Sequence, residues 1–306
     1  MTMGRAEIEA LRTLPCRELM SRALAVKLSR RGPSMSLCSI INARSGLCSE
    51  DCRFCTQSAR YQTATPVYPL KSADEIIAAA RQAAEDGASH FSIVTSGRGI
   101  TDESLPPILS LVSAIRDQVD IRVCASLGIA TIPQLRALKE AGLSRYHHNL
   151  ETSREFFENI VTTHTFAERA ATIAAAQAAG LEVCAGGIIG LGESETDRIS
   201  MALTLADLQV DSVPLNILIP LPGTPMAGVK APAMQEILRT IALYRLILPD
   251  VPLRLAAGRE SALADFLSSA FMAGADGMMI GGYLTQRGRS AAVDLDFVRT
   301  MQNLWA

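Results

Sequence analysis

Aromatic side chains are scarce in this chain of 306 residues: Phe, Tyr and Trp together make up 5%, with one Trp. That scarcity argues against a sandwich of aromatic-rich strands. Neither sign of charge dominates, since 29 Lys and Arg against 31 Asp and Glu leave a formal net charge of -2. Bulk charge therefore points to neither nucleic acid nor an anionic membrane, and the partner is expected to be small. No apolar run reaches the roughly 18 residues of a membrane span. Residues 1–31 are charged throughout and lack a signal-peptide core, so the expected location is the cytoplasm. Seven cysteines, an odd number without periodic spacing, do not read as a disulfide framework. They are expected to be reduced thiols kept for chemistry.

What the chain does have is 48% hydrophobic residues, enough for a full core, and abundant Gly and Ala for close helix-on-strand packing. Ile8, Leu11 and Leu14, then Leu19, Ala23 and Val26, recur at helical spacing and predict an N-terminal helical extension over residues 1–34. From residue 35 to 306 short β-rich runs precede long helical stretches, the strands expected at 37–41, 90–95, 121–126, 145–149, 181–187, 213–219, 253–256 and 277–281. Gly87, Gly142, Gly180 and Gly274 stand where helix ends need a C-cap. This is an α/β pattern whose eight βα units predict a (β/α)8 TIM-type barrel, with a doubly wound open sheet as the alternative.

Alternation within the strands says which side chains look inward. Cys124 shares a face with Arg122 and Ser126, Cys184 with Glu182 and Gly186, and His147 with Asn149 and Glu151, while Asn216 and Arg254 each sit between two apolar neighbours. A barrel interior is ordinarily packed with branched apolar residues. One carrying thiols, an amide and a guanidinium is costly unless those groups bind something.

The strongest local signal is Cys48-Ser49-Glu50-Asp51-Cys52-Arg53-Phe54-Cys55, a C-x3-C-x2-C triplet in the loop after the first strand. Soft thiolates favour zinc or an iron-sulfur cluster. A structural zinc site would show a fourth Cys or His nearby, and none follows. Three ligands on a cubane leave one iron open to a substrate or cofactor.

This spacing, with Phe54 just before the last Cys, resembles the radical S-adenosylmethionine superfamily. The ordered runs 46–61, 146–152 (YHHNLET), 183–193 (VCAGGIIGLGE), 213–218 (VPLNIL), 254–260 (RLAAGRE) and 271–275 sharpen the resemblance to the biotin synthases, over residues 35–290. The resemblance implies a sulfurtransferase that converts dethiobiotin to biotin. Cys48, Cys52 and Cys55 would hold a [4Fe-4S] cluster whose open iron chelates S-adenosylmethionine. Asn149, Glu151 and Arg169, with the glycine stretch containing Gly186 and Gly190, match positions around that cofactor, although the family often has Asp where this chain has Glu151. His147, Asn216 and Thr285 are the expected substrate contacts, with Gln286 beside them. The resemblance further implies an electron donor such as flavodoxin or ferredoxin, and a homodimer.

In this family a second cluster, usually [2Fe-2S], sits deep in the barrel and supplies sulfur. Cys124, Cys184 and Arg254 match three of its four ligand positions. At the fourth, Ser92 stands where the family usually has Cys. Cys38 lies on the first strand, on the face of Ser36, Ile40 and Asn42, where well-known members carry Ser. The expectation is that Cys38, Cys124 and Cys184 hold an auxiliary cluster that need not be [2Fe-2S]; otherwise Ser92 or Arg254 completes a conventional one. Cys16, outside the matched runs, is expected to be a plain thiol. Rival functions are another radical reaction on this scaffold, such as a rearrangement or hydrogenase-cofactor maturation, and a non-catalytic iron-sulfur or zinc protein.

Overall fold

The computed structural model describes residues 3–285 and 288–305. Two helices come first, α1 (Arg5–Arg12) and α2 (Cys16–Arg31), parted around Pro15, which has no N–H to continue a helix. The alternating part follows: β1 (Ser36–Arg44), α3 (Ala73–Glu85), β2 (His90–Thr95), α4 (Leu105–Gln118), β3 (Arg122–Ser126), α5 (Ile132–Ala141), β4 (Arg145–His147) and α6 (Phe166–Ala178). Next come β5 (Glu182–Cys184), β6 (Gly187–Ile189), α7 (Glu195–Asp207), β7 (Val213–Ile217), α8 (Met234–Ile247), β8 (Leu253–Leu255), α9 (Arg259–Leu263), α10 (Leu267–Met272), β9 (Gly277–Met279) and α11 (Ala291–Trp305).

Local chemistry explains the boundaries. Ser72, Thr165 and Ser194 open α3, α6 and α7 with reciprocal capping boxes to Glu75, Glu168 and Asp197, satisfying helix N–H groups that have no partner within the helix. At the other ends Gly87, Gly142, Gly180 and Gly274 take the positive φ expected of them.

All strand pairs are parallel, and the sheet runs β5-β4-β3-β2-β1-β9-β8-β7-β6. Its two ends are halves of one run, parted at Ala185 and Gly186. Ser212 N–H donates to the Val183 carbonyl at 3.2 Å and Ile188 N–H to that of Glu151 at 2.9 Å. These bonds, with the bridges Cys184 to Ser212 and Glu151 to Gly187, bring the ends together and close the barrel. The break arises because neighbouring backbone comes too close for side chains: a Cβ on Gly186 would lie 2.0 Å from the Pro214 carbonyl oxygen, and one on Gly187 2.4 Å from that of Glu151.

The outward strand faces, among them Phe91, Ile93, Val123, Val183, Leu215 and Leu253, are buried against the helices. Each such side chain contributes about 1.5–3 kcal/mol of burial. Two details depart from the sequence pattern. The helical stretch between β8 and β9 is broken into α9, a 3-10 turn and α10 at Ala264, whose φ is +42. On α2 the buried residue is Lys27 rather than Val26: its Nζ donates to the Gly32 carbonyl at 2.7 Å and lies 3.7 Å from the centre of the Trp305 ring. The α2 helix lies along α8, and Arg239 of α8 reaches the carbonyls of Leu14 (2.7 Å) and Arg12 (3.0 Å). Among the described residues no helix is long and apolar enough to cross a membrane.

Candidate functional site

A cavity of about 410 Å³ opens at the C-terminal ends of the strands, where barrels of this type gather functional groups. Cys48, Cys52, Cys55, His147, Asn149, Glu151, Arg169, Asn216 and Thr285 all line it. The structure thus gathers nine residues singled out in the sequence from five separate stretches of chain. Gln286 lies outside the described residues.

The thiol loop is held by backbone. Cys48 N–H donates to the Gln57 carbonyl at 3.0 Å, Ala59 N–H to that of Cys48 at 2.8 Å, and Cys55 N–H to that of Cys52 at 2.9 Å. From inside the triplet, Asp51 grips the loop ahead of α6, accepting from Thr162 N–H at 2.9 Å and from Thr163 N–H at 3.2 Å. Burial opposes ionisation of Asp51, but hydrogen bonds from the Thr162 hydroxyl, then from the Thr162 N–H and the hydroxyl and N–H of Thr163, hold its carboxyl at about 2. Burial pushes the Cys55 thiol up to about 11 and raises that of Cys52 further, so both need a cation to bind as thiolates. Around one zinc ion, thiolate sulfurs would stand about 3.8 Å apart. Among the described residues no three Cys, His, Asp or Glu side chains converge on a single ion, and the loop thiols instead rim a cavity that admits a larger group.

Behind the loop runs a chain of contacts invisible in the sequence. His164 Nδ1 meets Glu50 Oε2, Arg169 Nε donates to His164 Nε2 at 3.1 Å, and Arg169 Nη1 donates to the Asn149 carbonyl at 2.7 Å. Arg169 Nη1 also stands 3.8 Å from Glu151. An arginine can only donate, so His164 Nε2 carries no proton and Nδ1–H donates to Glu50. Burial, then the Arg169 charge, lowers the His164 pKa and keeps the ring neutral. Glu151 itself sits at φ +69, with burial raising its carboxyl. Sequence reading assigned nothing to His164; its only local hint is its place five residues before Arg169.

The remaining thiols lie deeper. Ile40, Val94, Ser126, His147 and Ala256 line the cavity, and two residues earlier on the same strand faces stand Cys38, Ser92, Cys124, Arg145 and Arg254. Cys184 is beside His147 in register. Cys38, Cys124 and Cys184 are buried, and burial raises Cys124 and Cys184, with Arg145 and Arg254 opposing it at Cys184. His90 and His147 are both pushed down to about 3 by burial and by Arg145 and Arg254. His90 Nε2, His147 Nε2, Ser92 Oγ, Arg145 Nη1 and Arg254 Nε are all buried without a partner. Five orphaned polar atoms around three thiols are a layer built to surround something, and an anionic metal-sulfur group suits them. Arg145 went unnoticed in the sequence although it shares the parity of His147 and Asn149.

Three further residues are engaged by the fold. Asn216 Nδ2 donates to the Gly187 carbonyl at 3.2 Å and its Oδ1 accepts from Ala257 N–H at 3.1 Å, stitching β6 to the end of β8. Gly186 is explained by its approach to Pro214. Gly190 is explained by φ +101 and by Pro232, 2.7 Å from where its Cβ would be.

Comparison with known proteins completes the picture. A Radical SAM superfamily model matches residues 44–205, and the Biotin and Thiamin Synthesis associated domain matches residues 214–302. The chain is 50% identical over 283 residues to a biotin synthase of Heliobacterium modesticaldum, covering 92% of this chain and 87% of the relative. It is 49% identical over 285 residues to one of Pelotomaculum thermopropionicum, covering 93% and 89%. Among solved structures, methylornithine synthase (PylB) superposes with a TM-score of 0.84 at 19% identity, covering 98% of this chain and 93% of that one. The FeFe-hydrogenase maturase HydG from Carboxydothermus hydrogenoformans gives 0.83 at 18% identity, covering 98% and 75%. Identities this low speak for the shared barrel alone.

Proposed function

The chain belongs to the biotin synthase family of radical S-adenosylmethionine enzymes, and from that premise we propose how its residues divide the work of inserting sulfur into dethiobiotin. When bound, a [4Fe-4S] cluster with S-adenosylmethionine supplies a 5′-deoxyadenosyl radical, and an auxiliary iron-sulfur cluster supplies the sulfur that completes biotin. Cys48, Cys52 and Cys55 would hold the first cluster at the cavity rim. The Arg169 guanidinium suits the cofactor carboxylate as a planar fork. Asn149 and Glu151 offer an amide and a carboxylate to its hydroxyl and amino groups. Gly186 and Gly190 keep the chain beside them narrow. His147, held neutral, presents one donor and one acceptor, which matches a ureido ring; Asn216 and Thr285 complete the substrate wall. Ile40, Val94, Ile188 and Met279 line the same space and exclude water from a reactive radical.

The observation that carries this reading is the second set of buried thiols: Cys38 and Cys124 lie one inward position deeper than the cavity-lining Ile40 and Ser126, and Cys184 lies in register beside His147. With Arg254 they are the proposed site of the auxiliary cluster, and the thiol on β1 replaces the one absent at Ser92. Ser92 Oγ, buried without a partner, supports a second reading in which it completes a conventional ligand set. A flavodoxin or ferredoxin as electron donor, a homodimer and a cytoplasmic location are proposed on family grounds alone.

Anaerobic reconstitution with dethiobiotin, S-adenosylmethionine and a reductant, followed by product analysis, tests the function. Biotin is the expected product, and 5′-deoxyadenosine formed at a rate indifferent to dethiobiotin would count against it. Iron and sulfide counts with Mössbauer spectra then compare Cys38→Ser and Ser92→Ala with the parent. Cys38→Ser is expected to lose auxiliary iron while Ser92→Ala keeps it, and the reverse pattern would restore the conventional set.

A further inference from the structure

Among the inward-facing groups around the deep thiols, Arg145 has no counterpart in the ligand sets considered above. It begins β4, in register with Cys124 on one side and Glu182 on the other. Its side chain is 6% exposed. Arg145 Nε and Nη2 donate to Glu182 Oε2 at 3.0 and 2.6 Å, and Glu182 is held in turn by Arg122, itself half exposed at the barrel floor. Arg145 Nη1 remains buried with no partner. Two of the three forks are thus spent on fixing the guanidinium, and the third is left free in a chamber of thiols.

Charge shows why such a fixed donor is needed. Three thiolates around a metal-sulfur group make a buried anionic assembly, and a buried charge is tolerated only when paired and hydrogen-bonded. Positive charge in this layer is supplied by the guanidiniums of Arg254 and Arg145, each buried and each with a nitrogen left without a partner. Gly277, in register with Arg254 on the neighbouring strand, has no side chain: a Cβ there would meet Ser36 oxygens at 2.6 Å and Arg254 Cγ at 3.2 Å, so glycine also leaves room for the Arg254 stem.

We propose that Arg145, clamped by Glu182, is a positioning and charge-compensating residue of the auxiliary site, donating Nη1–H to the sulfur of the group held by Cys38, Cys124 and Cys184. This rests on the auxiliary-cluster reading above. A hydrogen bond and a positive charge beside cluster sulfur favour the reduced state, so they raise the reduction potential. The two partners of the clamp then act with opposite signs. Removing the Arg145 charge lowers the potential, and removing the Glu182 charge raises it.

The test is a redox titration of reconstituted holoenzyme, followed by EPR and Mössbauer spectroscopy, for the parent, Arg145→Gln, Arg145→Lys and Glu182→Gln. The radical-generating cluster in the same sample is the internal control. Arg145→Gln is expected to cut the ratio of reduced to oxidised auxiliary cluster at the parent midpoint about tenfold, which is about 59 mV for one electron. Arg145→Lys recovers part of that shift, Glu182→Gln moves the opposite way, and the control cluster stays put. Selective loss of auxiliary iron in Arg145→Gln, regained in Arg145→Lys, also supports the assignment. Unmoved potentials in fully loaded variants overturn it, as do shifts of one sign in Arg145→Gln and Glu182→Gln, the mark of a merely structural clamp. A parent without auxiliary iron overturns the underlying reading as well, so the two failures are distinguishable.

Discussion

Replacing His164 with Ala isolates the relay that joins the thiol loop to the Arg169 side of the cavity. The imidazole makes two hydrogen bonds with charged partners, Nδ1–H to Glu50 and Nε2 from Arg169 Nε at 3.1 Å. Glu50 keeps Thr163 Oγ1 at 2.8 Å, and Arg169 keeps the Asn149 carbonyl at 2.7 Å, so neither partner is wholly stranded. A hydrogen bond to a charged group is worth about 1.5–3 kcal/mol. If the bond to Arg169 is what aims the guanidinium, its loss falls on cofactor binding. At 1.4 kcal/mol per decade the KM for S-adenosylmethionine should rise about 10- to 100-fold, with kcat at saturation little changed. The assay is dethiobiotin-dependent 5′-deoxyadenosine formation against S-adenosylmethionine concentration, at matched iron content. His164→Gln is the rescue, because one amide accepts from Arg169 and donates to Glu50. A KM for His164→Ala within twofold of the parent at full iron loading would refute the relay, as would a loss accounted for by iron alone.

Gly186→Ala drives a Cβ to 2.0 Å from the Pro214 carbonyl oxygen, in a barrel wall that cannot move by the required distance without breaking β6 from β7. We expect about 3 kcal/mol of destabilisation, read as a fall in Tm of about 5 °C. Gly180→Ala, with open space around the new atom but φ +77, should lose only about 1 kcal/mol; similar losses for both would refute the close-approach argument. Lys27 is fully buried, and burial lowers its pKa to about 8. Between pH 8 and 10.5 the unfolded chain therefore holds more protons at this residue than the folded one, so its contribution makes stability rise with pH, by at most about 3 kcal/mol. Lys27→Met should flatten that slope in thermal unfolding at pH 8 to 10, and an unchanged slope would exclude Lys27 as its source.

Much of the architecture was legible because its signals are local. A period of two separated the inward Cys124, Cys184 and Arg254 from the outward Val123, Val183 and Leu253 without reference to any other strand. The capped helices and glycine stops follow from residues three or four positions apart. Cys48, Cys52 and Cys55 announced themselves by spacing within eight residues. Identities that depend on distant partners were not legible. His164 has one partner 114 residues away, Arg145 one 37 residues away, and the Asn216 amide is engaged by two strands that neighbour its own.

The sequence by itself determined the family, the alternating βα order, the rim thiols and the face on which the deep thiols lie, because composition, periodicity and motif spacing are properties of consecutive residues. Only the tertiary structure decided that the interrupted fifth strand closes the barrel, and that Cys38, Cys124 and Cys184 share one layer with two guanidiniums that each keep a buried nitrogen without a partner. Register between strands is a property of backbone hydrogen bonds across the sheet. It is register that sets Cys124 beside Arg145 and Cys184 beside His147.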